Sequence, residues 1–494
     1  MSAGDTPLTE RSALELARGI RTGELSAVDV VDAHIELVER LNPEINAVVH
    51  PRLDDARAEA SAADEQVAAA DDSERLPPLL GVPFTIKESI CVAGMPNAAG
   101  CVARREARAD ETAPAAQRLL DTGAILLGLT NTSELTLWIE SENRLYGRTH
   151  NPYDPARTAG GSSGGEGAAV GSGMSVFGLG TDIGGSIRIP AFCGGVFAHK
   201  PSLGVVPGTG HWPVATGEAA RMVVWGPLAR RAEDLMPLLR AIAGPDGVDP
   251  LVGEVTLADP AELSLDGLRV LVSEQTSLRP ISRELLDARE RAAGALAASG
   301  ARVERVAIKA MRRMVEPYLA ALSDGGAARI VDLLAAEGVV PLTWRSSLRR
   351  GGDHTVATRF LLTAERLTGR LPEKRTQRAL AAGRAFSEEL RQLVGDGILL
   401  HPPMPAVAPK HGRTVGRMWW AGETALFNMV GIPVTEVPLG LNSRGLPLGV
   451  QVAAGLGRDH VAIAVAHELE RVFGGWVPPQ HADGEASHVL LAEA

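Results

Sequence analysis

Cysteines, lysines and long apolar runs are scarce in this chain of 494 residues. The three cysteines (Cys91, Cys101 and Cys193) are an odd number without a Cys-x-x-Cys pair, which argues against a disulfide framework and a structural zinc site. No run approaches the roughly 18 apolar residues of a membrane span, and the first residues lack the basic and apolar regions of a signal peptide. We therefore predict a cytoplasmic protein with no integral membrane segment and no metal site.

Among the charged residues, acidic residues outnumber basic ones, and arginine far outnumbers lysine. The chain has 60 acidic and 49 basic residues, and its net charge of -11 at pH 7 disfavours a nucleic-acid partner. Only five of the basic residues are lysines, and the other 44 are arginines. Arginine stays charged at every working pH, whereas a buried lysine can lose its proton and act as a base. Each lysine is therefore a candidate for a chemical role.

Apolar residues follow helical spacing in some segments and strand patterning in others. Residues 8–41 predict two helices, and residues 164–171 and 459–473 predict two more. The apolar run 79–86 predicts a buried strand that ends at Lys87. Alternation of helices and strands along the chain is typical of an α/β protein with a mixed sheet, and no linker divides it, so we predict one large domain.

Glycine is concentrated in one part of the chain. Residues 160–204 hold fourteen glycines, and two segments there read GGSSGGEG (160–167) and GLGTDIGGSIRIP (178–190). A phosphate-binding P-loop requires a lysine directly after its last glycine, and no lysine lies between residues 88 and 199. Each candidate dinucleotide-binding turn lacks its third glycine. Phosphate and dinucleotide binding are therefore not predicted.

Three interpretations of these glycine-rich segments stay open. Two overlapping Gly-x-Ser-x-Gly matches, centred on Ser162 and Ser163, fit a histidine-dependent esterase of the α/β-hydrolase class, although residues 157–159 make a poor preceding strand. Glycines can also serve only to permit tight turns. The third interpretation is a serine nucleophile that a lysine activates, because a serine alcohol needs a positioned base and a neutral lysine can supply one.

The third interpretation assigns a role to each of three residues. Gly184 and Gly185 precede Ser186, so that successive backbone N–H groups can turn toward one point and bind a carbonyl oxygen that gains charge. Ser186 is then the nucleophile. Ser162 passes the proton from Ser186 to Lys87, provided that burial lowers the pKa of that lysine.

The two segments resemble the amidase signature family, whose hallmark is GGSSGG followed by GTDxGGSxRxP. The resemblance extends from residue 12 to residue 201, resumes at 396–409 and 428–452, and is weakest over about 260–390. It implies a single α/β domain over residues 1–494, with a large mixed twisted sheet that helices cover on both sides. The signature core is expected at about 70–250 and 390–480, with a variable helical cap at about 260–390.

The resemblance also implies site residues. It implies Ser186 as nucleophile, Ser162 as bridging serine on a cis peptide bond, and Lys87 as base. Oxyanion donors are implied at Ile183, Gly184, Gly185 and Ser186. Ser163 is expected either to form a hydrogen bond near Lys87 or to have a purely conformational role, while Asp182 and Arg188 are expected to brace the loop.

The sequences of these motifs are most similar to those of the fatty-acid amide hydrolase branch of the family. We therefore expect an amidase that cleaves a carboxylic or N-acyl amide to acid and amine or ammonia, without cofactor or metal. The alternatives are the A-type subunit of a glutamine-dependent amidotransferase and the histidine-dependent esterase. Residues 311–350 hold an apolar stretch flanked by arginines, for which weak lipid contact, a packed helix pair and a homodimer contact remain open.

Several other residues receive a modest interpretation. Trp419 and Trp420 are expected either to line an acyl pocket or to pack in the core. Glu134 and Glu166 are expected to be solvated or to cap helices. His199 and His211 are expected to be structural groups that form hydrogen bonds.

Overall fold

Eleven β-strands form one large sheet in the computed structural model, which describes residues 6–274, 280–323, 335, 352–368 and 372–480. A separate hairpin pairs two short strands. The strands are β1 (Val48–Pro51), β2 (Pro83–Lys87), β3 (Ile125–Thr130), β4 (Glu142–Asn143), β5 (Gly147–Arg148), β6 (Phe177–Asp182), β7 (Phe197–Lys200), β8 (Val224–Ala229), β9 (Arg269–Ser273), β10 (Arg302–Val306), β11 (Ile398–His401), β12 (Val434–Leu441) and β13 (Pro447–Ala454).

The large sheet is mixed. Its strands lie in the order β1-β3-β2-β6-β8-β7-β12-β13-β11-β9-β10. Strand β2 runs parallel to β3 and β6, and β9 runs parallel to β10 and β11. The other neighbouring strands pair antiparallel. Every residue of β2, β3, β6, β8 and β13 is buried, so both faces of these strands are covered, and the predicted α/β fold is confirmed.

Helices surround this sheet. They are α1 (Ala13–Arg21), α2 (Ala27–Ile45), α3 (Leu53–Ala69), α4 (Pro114–Asp121), α5 (Gly164–Gly171), α6 (Arg188–Gly194), α7 (Gly217–Ala220), α8 (Leu235–Ile242), α9 (Arg283–Ala298), α10 (Val315–Ser323), α11 (Val356–Thr368), α12 (Glu373–Val394), α13 (Gly422–Val430) and α14 (Asp459–Phe473). In the described part of the chain, no helix combines the length and apolarity that a membrane crossing requires.

The first two helices show how local sequence sets the boundaries of an element. Ser12 and Glu15 form a capping box at the start of α1, which satisfies backbone N–H groups that have no partner within the helix. The side chain of Ser26 caps α2 by accepting from Asp29 N, and α2 ends at Asn46, whose φ of 54° is left-handed. These two helices confirm the prediction for residues 8–41.

Helices α5 and α6 pack almost backbone to backbone, and glycine makes this possible. A Cβ atom at Gly167 would lie 2.5 Å from the carbonyl oxygen of Pro190, and one at Gly194 would lie 2.2 Å from the oxygen of Gly167. Both distances are too short for real Cβ contacts, so the close approach requires glycine. Since Ser162 and Ser163 precede α5 and Ser186 precedes α6, this packing brings the two serine segments together.

The region of residues 260–390 is not entirely helical, which corrects the predicted cap. Strands β9 and β10 lie within it and form one edge of the large sheet. The residues of β10 are Arg-Val-Glu-Arg-Val, and exposed charge on an edge strand blocks further pairing but conceals the apolar pattern of a strand. The apolar stretch 330–340 and its flanking residues 345–350 lie outside the described residues, apart from residue 335.

Candidate active site

The three predicted catalytic residues lie near the carboxyl ends of β2 and β6. Lys87 is the last residue of β2, and Thr181 is the penultimate residue of its parallel neighbour β6. Ser162 comes just before α5, and Ser186 just before α6. Because parallel strands place their carboxyl ends at one edge of a sheet, these groups lie close together, as ligand sites of open α/β sheets commonly do.

Lys87 is completely buried and contacts two hydroxyl groups. Its Nζ atom lies 2.7 Å from Ser162 Oγ and 2.8 Å from Thr181 Oγ1. Burial lowers the pKa of Lys87 to about 7, and the nearby carboxylates of Asp182, Glu166 and Glu88 oppose this shift. The neutral amine is therefore well populated at pH 7, which a base requires.

Ser162 is held in place through its backbone. The peptide bond between Gly161 and Ser162 is cis, as the resemblance implied. The carbonyl oxygen of Ser162 accepts hydrogen bonds from Ser133 N at 3.2 Å and Ser141 Oγ at 2.8 Å. A Cβ atom at Gly161 would lie 2.7 Å from the carbonyl oxygen of Trp138, so only glycine fits before this serine.

The nucleophile candidate, Ser186, has a free hydroxyl group. Its side chain forms no hydrogen bond with any of the described residues, and the residue is 8% exposed, more than Lys87 or Ser162. Its carbonyl oxygen accepts a 3.1 Å hydrogen bond from Ser163 N. Ser163 Oγ donates to the carbonyl oxygen of Thr181 at 3.4 Å and not to Lys87, which fits the conformational role.

Residues 182–186, which we call the oxyanion loop, present three free N–H groups. The N–H groups of Ile183, Gly184 and Ser186 donate to no other described residue. The N–H of Gly185 differs, because it donates to Asp182 Oδ1 at 2.7 Å. Of the four donors that the resemblance implied, Gly185 is therefore already engaged, and the other three are available to a substrate oxygen.

Asp182 and Arg188 brace this loop, as predicted. Their carboxylate and guanidinium groups pair at 3.0 Å, and both side chains are completely buried. Ile187 N donates to the same carboxylate at 3.0 Å. Arg188 and the backbone N–H donors hold the pKa of Asp182 well below its usual range, against the effect of burial. The carboxylate thus stays charged and fixes the turn that carries Ser186.

His211 forms hydrogen bonds, as predicted, and it also lies within hydrogen-bond distance of Thr181 at the site. Its Nδ1 lies 2.8 Å from the carbonyl oxygen of Pro213, which can only accept, so Nδ1 carries a proton. Burial and the charge of Lys87 lower the pKa of His211 to about 3, so Nε2 has a lone pair. Nε2 lies 3.1 Å from Ser89 Oγ and 3.3 Å from Thr181 Oγ1, so its one lone pair is within reach of two hydroxyl protons.

His211 also bears on the hydrogen bonds at Lys87. Thr181 has one hydroxyl proton, and His211 Nε2 offers it an acceptor other than Lys87. When Thr181 donates to His211, it accepts from Lys87, and the lone pair of neutral Lys87 is available to the hydroxyl proton of Ser162. No histidine among the described residues forms a hydrogen bond with the hydroxyl of Ser162, Ser163 or Ser186, so the histidine-dependent alternative lacks its base.

Two glutamates, which were predicted to be solvated or to cap helices, are both buried. Glu166 is completely buried and accepts from Thr85 Oγ1 at 2.7 Å and Thr130 Oγ1 at 2.6 Å, so it is neither solvated nor a cap. Burial raises its pKa to about 8. Glu134 does cap a helix, because it accepts from Thr355 N just before α11, but it is buried as well.

The other residues have structural surroundings. His199 lies between Asp459 at 3.0 Å and Thr435 at 2.9 Å in the core, as predicted for a structural histidine. Trp420 packs against the main hydrophobic core, and Trp419 is only half-buried.

An apolar cluster lies beside the oxyanion loop. It packs the side chain of Ile183 together with residues from α10, α12 and α13. We call it the Ile183 cluster, and it consists of Ile183, Tyr318, Ala320, Ala321, Leu322, Leu380, Met222 and Met429. No sequence signal predicted it, because its members come from distant parts of the chain and meet only in the folded protein.

Comparison with known proteins identifies the family. A family model described as Amidase matches residues 29–462. Fatty-acid amide hydrolase 2-B of Danio rerio is 40% identical over 96% of this chain and 91% of its own length. Acylamidase of Rhodococcus erythropolis is 31% identical over 96% of this chain and 97% of its own. The chain belongs to the amidase signature family.

Solved structures support the same membership. The structure of 6-aminohexanoate cyclic dimer hydrolase complexed with substrate superposes with a TM-score of 0.81 and 27% sequence identity. The match covers 95% of this chain and 98% of that one. The large mixed sheet and its helices are therefore the fold of the family, and the activity is hydrolysis of amide C–N bonds.

Proposed function

We propose that the protein hydrolyses N-acyl amides with an apolar acyl group, through an acyl-enzyme on Ser186, with Ser162 as proton relay and Lys87 as base. The observation that carries this proposal is the 2.7 Å contact between Lys87 Nζ and Ser162 Oγ in a completely buried setting. A lysine with its pKa lowered to about 7 is neutral often enough to take a proton at physiological pH.

Acylation begins with attack of Ser186 Oγ on the amide carbonyl carbon. As the new C–O bond forms, the Ser186 proton moves to Ser162 Oγ and the Ser162 proton moves to Lys87 Nζ. Lys87 then returns a proton through Ser162 to the amide nitrogen, and the C–N bond breaks to release the amine or ammonia. Water attacks the acyl-enzyme by the same relay and frees the carboxylic acid, so that Lys87 ends neutral.

The oxyanion loop stabilises the charge that develops in these steps. The three free N–H groups, of Ile183, Gly184 and Ser186, are the donors for the carbonyl oxygen as it becomes negative. The free hydroxyl of Ser186 adjoins these donors in the chain, so that one carbonyl group can meet both. Every group in this mechanism belongs to the chain itself, so it requires no metal or cofactor.

The substrate class rests on the Ile183 cluster. Ile183 and Tyr318 are half-buried members of this cluster, and an apolar acyl group bound against them would place its carbonyl near Ser186 and the N–H of Ile183. The relative that is 40% identical carries the name fatty-acid amide hydrolase, which supports an apolar acyl group. Weak contact with a lipid surface, a homodimer and a cytoplasmic location remain predictions.

A labelling experiment tests the nucleophile. A fluorophosphonate probe should label the wild-type protein at Ser186, and Ser186→Ala should lose both labelling and turnover. Ser172→Ala is the matched control, because Ser172 is a buried serine at the C-cap of α5 whose hydroxyl donates to the carbonyl oxygen of Ala168 at 2.7 Å. Labelling at Ser162 or Ser163, or turnover by Ser186→Ala, would contradict the proposal.

A substrate series tests the acyl group. Straight-chain primary amides of increasing length should show rising kcat/KM, because each buried CH₂ contributes about 0.8 kcal/mol of transfer free energy. Acetamide and glutamine belong in the same series. A preference for acetamide would exclude the apolar acyl group, and a preference for glutamine would favour the amidotransferase-type alternative.

A further inference from the structure

Three consecutive carbonyl groups of the oxyanion loop each accept a hydrogen bond from a side chain. Asn428 Nδ2 donates to the oxygen of Asp182 at 3.0 Å. Tyr318 Oη donates to the oxygen of Ile183 at 3.1 Å. Thr424 Oγ1 donates to the oxygen of Gly184 at 2.7 Å. The backbone of this loop is thus held by three different side chains.

A held carbonyl also fixes the N–H group that follows it. The C=O of one residue and the N–H of the next share a planar trans peptide unit and point in opposite directions. The bond to Asp182 therefore orients the N–H of Ile183, and the bond to Ile183 orients the N–H of Gly184. The N–H of Ser186 is oriented likewise, because Ile189 N donates to the oxygen of Gly185 at 2.7 Å.

Each free N–H of the loop is therefore oriented by one donor, which binds the carbonyl of the preceding residue. The three donors come from different parts of the chain. Ile189 lies in α6, directly after the nucleophile segment. Asn428 is almost completely buried on α13 and also donates to Asp182 Oδ1 and to the oxygen of Met222. Tyr318 comes from α10, in the part of the chain where the resemblance to the family is weakest.

Tyr318 lies directly over Gly184. A Cβ atom at Gly184 would be only 2.4 Å from the hydroxyl oxygen of Tyr318, so the tyrosine occupies the space where a side chain would stand. The ring of Tyr318 belongs to the Ile183 cluster, on the side where we place the acyl group. Its hydroxyl group thus contacts the loop while its ring faces the apolar surface.

We propose that Tyr318 is a positioning residue for catalysis, which aligns the N–H of Gly184 with the substrate oxygen by holding the carbonyl of Ile183. This proposal rests on the proposed function, because it presumes an oxyanion at this loop. Tyr318 exchanges no proton and forms no bond with the substrate oxygen. Loss of its hydroxyl frees the Ile183–Gly184 peptide unit to rotate and weakens one of three donors.

The test compares Tyr318→Phe with Tyr153→Phe. The control removes a hydroxyl group that also donates to a backbone carbonyl, that of Val477 at 2.6 Å, but does not contact the oxyanion loop. Loss of a whole oxyanion donor costs about 10²–10³ in kcat, so we expect a misaligned donor to cost about 10-fold or more. KM for the amide should stay unchanged, and Tyr153→Phe should match the wild type.

A trifluoromethyl ketone with the same acyl group supplies a second measurement. It forms a tetrahedral adduct whose oxygen carries negative charge, so its inhibition constant should rise for Tyr318→Phe by the same factor as kcat/KM falls. Expressing kcat per site labelled to completion by fluorophosphonate removes any effect of partial unfolding. If Tyr318 contributed only to stability, neither kcat per labelled site nor the inhibition constant would change.

Two results would overturn the proposal. One is a Tyr318→Phe enzyme with wild-type kcat and an unchanged inhibition constant. The other is a rise in KM alone, which would make Tyr318 only a wall of the acyl site. Ser186→Ala distinguishes this proposal from the proposed function. Turnover by Ser186→Ala would refute the proposed function. An inactive Ser186→Ala together with a normal Tyr318→Phe would refute only the role of Tyr318.

Discussion

The Nζ atom of Lys87 lies 2.7 Å from the Oγ atom of Ser162, and neither side chain has access to bulk water. The contact can have either direction, and its direction decides whether Lys87 can act as a base. When Thr181 donates its proton to His211, the lone pair of neutral Lys87 is left for Ser162.

We first predict that Lys87→Met lowers kcat by about 10²–10⁴, the usual contribution of a general base, and that Lys87→Arg does not restore it, because guanidinium stays protonated. Lys200→Met is the matched control. Lys200 is also completely buried with its pKa lowered to about 7, but its Nζ donates to the oxygen of Pro201 and contacts no serine. Turnover per folded molecule, with the folded fraction taken from thermal unfolding, measures both variants, and equal losses in the two would contradict a specific role of Lys87.

The second prediction concerns pH. Lys87 acts as a base only when neutral, so kcat/KM should rise as the pH rises through about 7, the lowered pKa of the free enzyme. The same shift penalises folding, because the unfolded chain binds a proton that the folded chain releases. Stability should therefore increase with pH above about 7, and Lys87→Met should raise the melting temperature more at pH 7 than at pH 10. A pH profile of kcat/KM without an acid limb would refute the assignment.

Much of the site was predictable because its residues are close together in the sequence. The two glycine-rich segments, 160–167 and 178–190, contain both serines and the oxyanion loop. The scarcity of lysine singled out Lys87, and the strand pattern placed it at the end of β2. The bend that each segment makes follows from local glycines, so local sequence was enough.

The rest of the site depends on contacts between distant residues. His211 reaches Thr181 through a loop that no periodicity describes, and Tyr318 reaches Ile183 from a helix more than a hundred residues away. The same limit explains the missed strand β10, whose charged edge residues hide its pattern. Gly185 was expected to donate to substrate, but whether its N–H is free depends on where the carboxylate of Asp182 points.

The third prediction tests the hydrogen-bond chain at Lys87. Thr181→Ser should keep most activity, because serine can also donate to His211 and accept from Lys87. Thr181→Val has nearly the same shape but no hydroxyl, so Lys87 loses a partner at 2.8 Å, and we expect a lower kcat with a shifted acid limb. Wild-type behaviour of Thr181→Val in the pH profile would show that the chain has no catalytic role.

His211 provides a second test of the same chain. His211→Phe removes an acceptor within reach of the Thr181 proton, so that Thr181 donates to the lone pair of Lys87 in competition with Ser162. We expect kcat to fall while KM stays near its wild-type value. The matched control is His460→Phe, because His460 is half-exposed on α14. His199→Phe is unsuitable, because it removes a buried partner of Asp459.

The last prediction concerns the packing of α5 against α6. Gly167→Ala places a Cβ atom 2.5 Å from the carbonyl oxygen of Pro190, and the two helices must separate to relieve this contact. Overpacking of this kind costs about 1–3 kcal/mol of unfolding free energy, and separation would also move Ser162 away from Ser186, so kcat should fall with stability. Gly294→Ala is the matched control on α9, because its Cβ meets nothing within 4 Å and alanine favours a helix over glycine by about 0.5–1 kcal/mol. The melting temperatures of the two variants should therefore shift in opposite directions. A Gly167→Ala enzyme with wild-type stability and turnover would show that the two serine segments do not depend on this close packing.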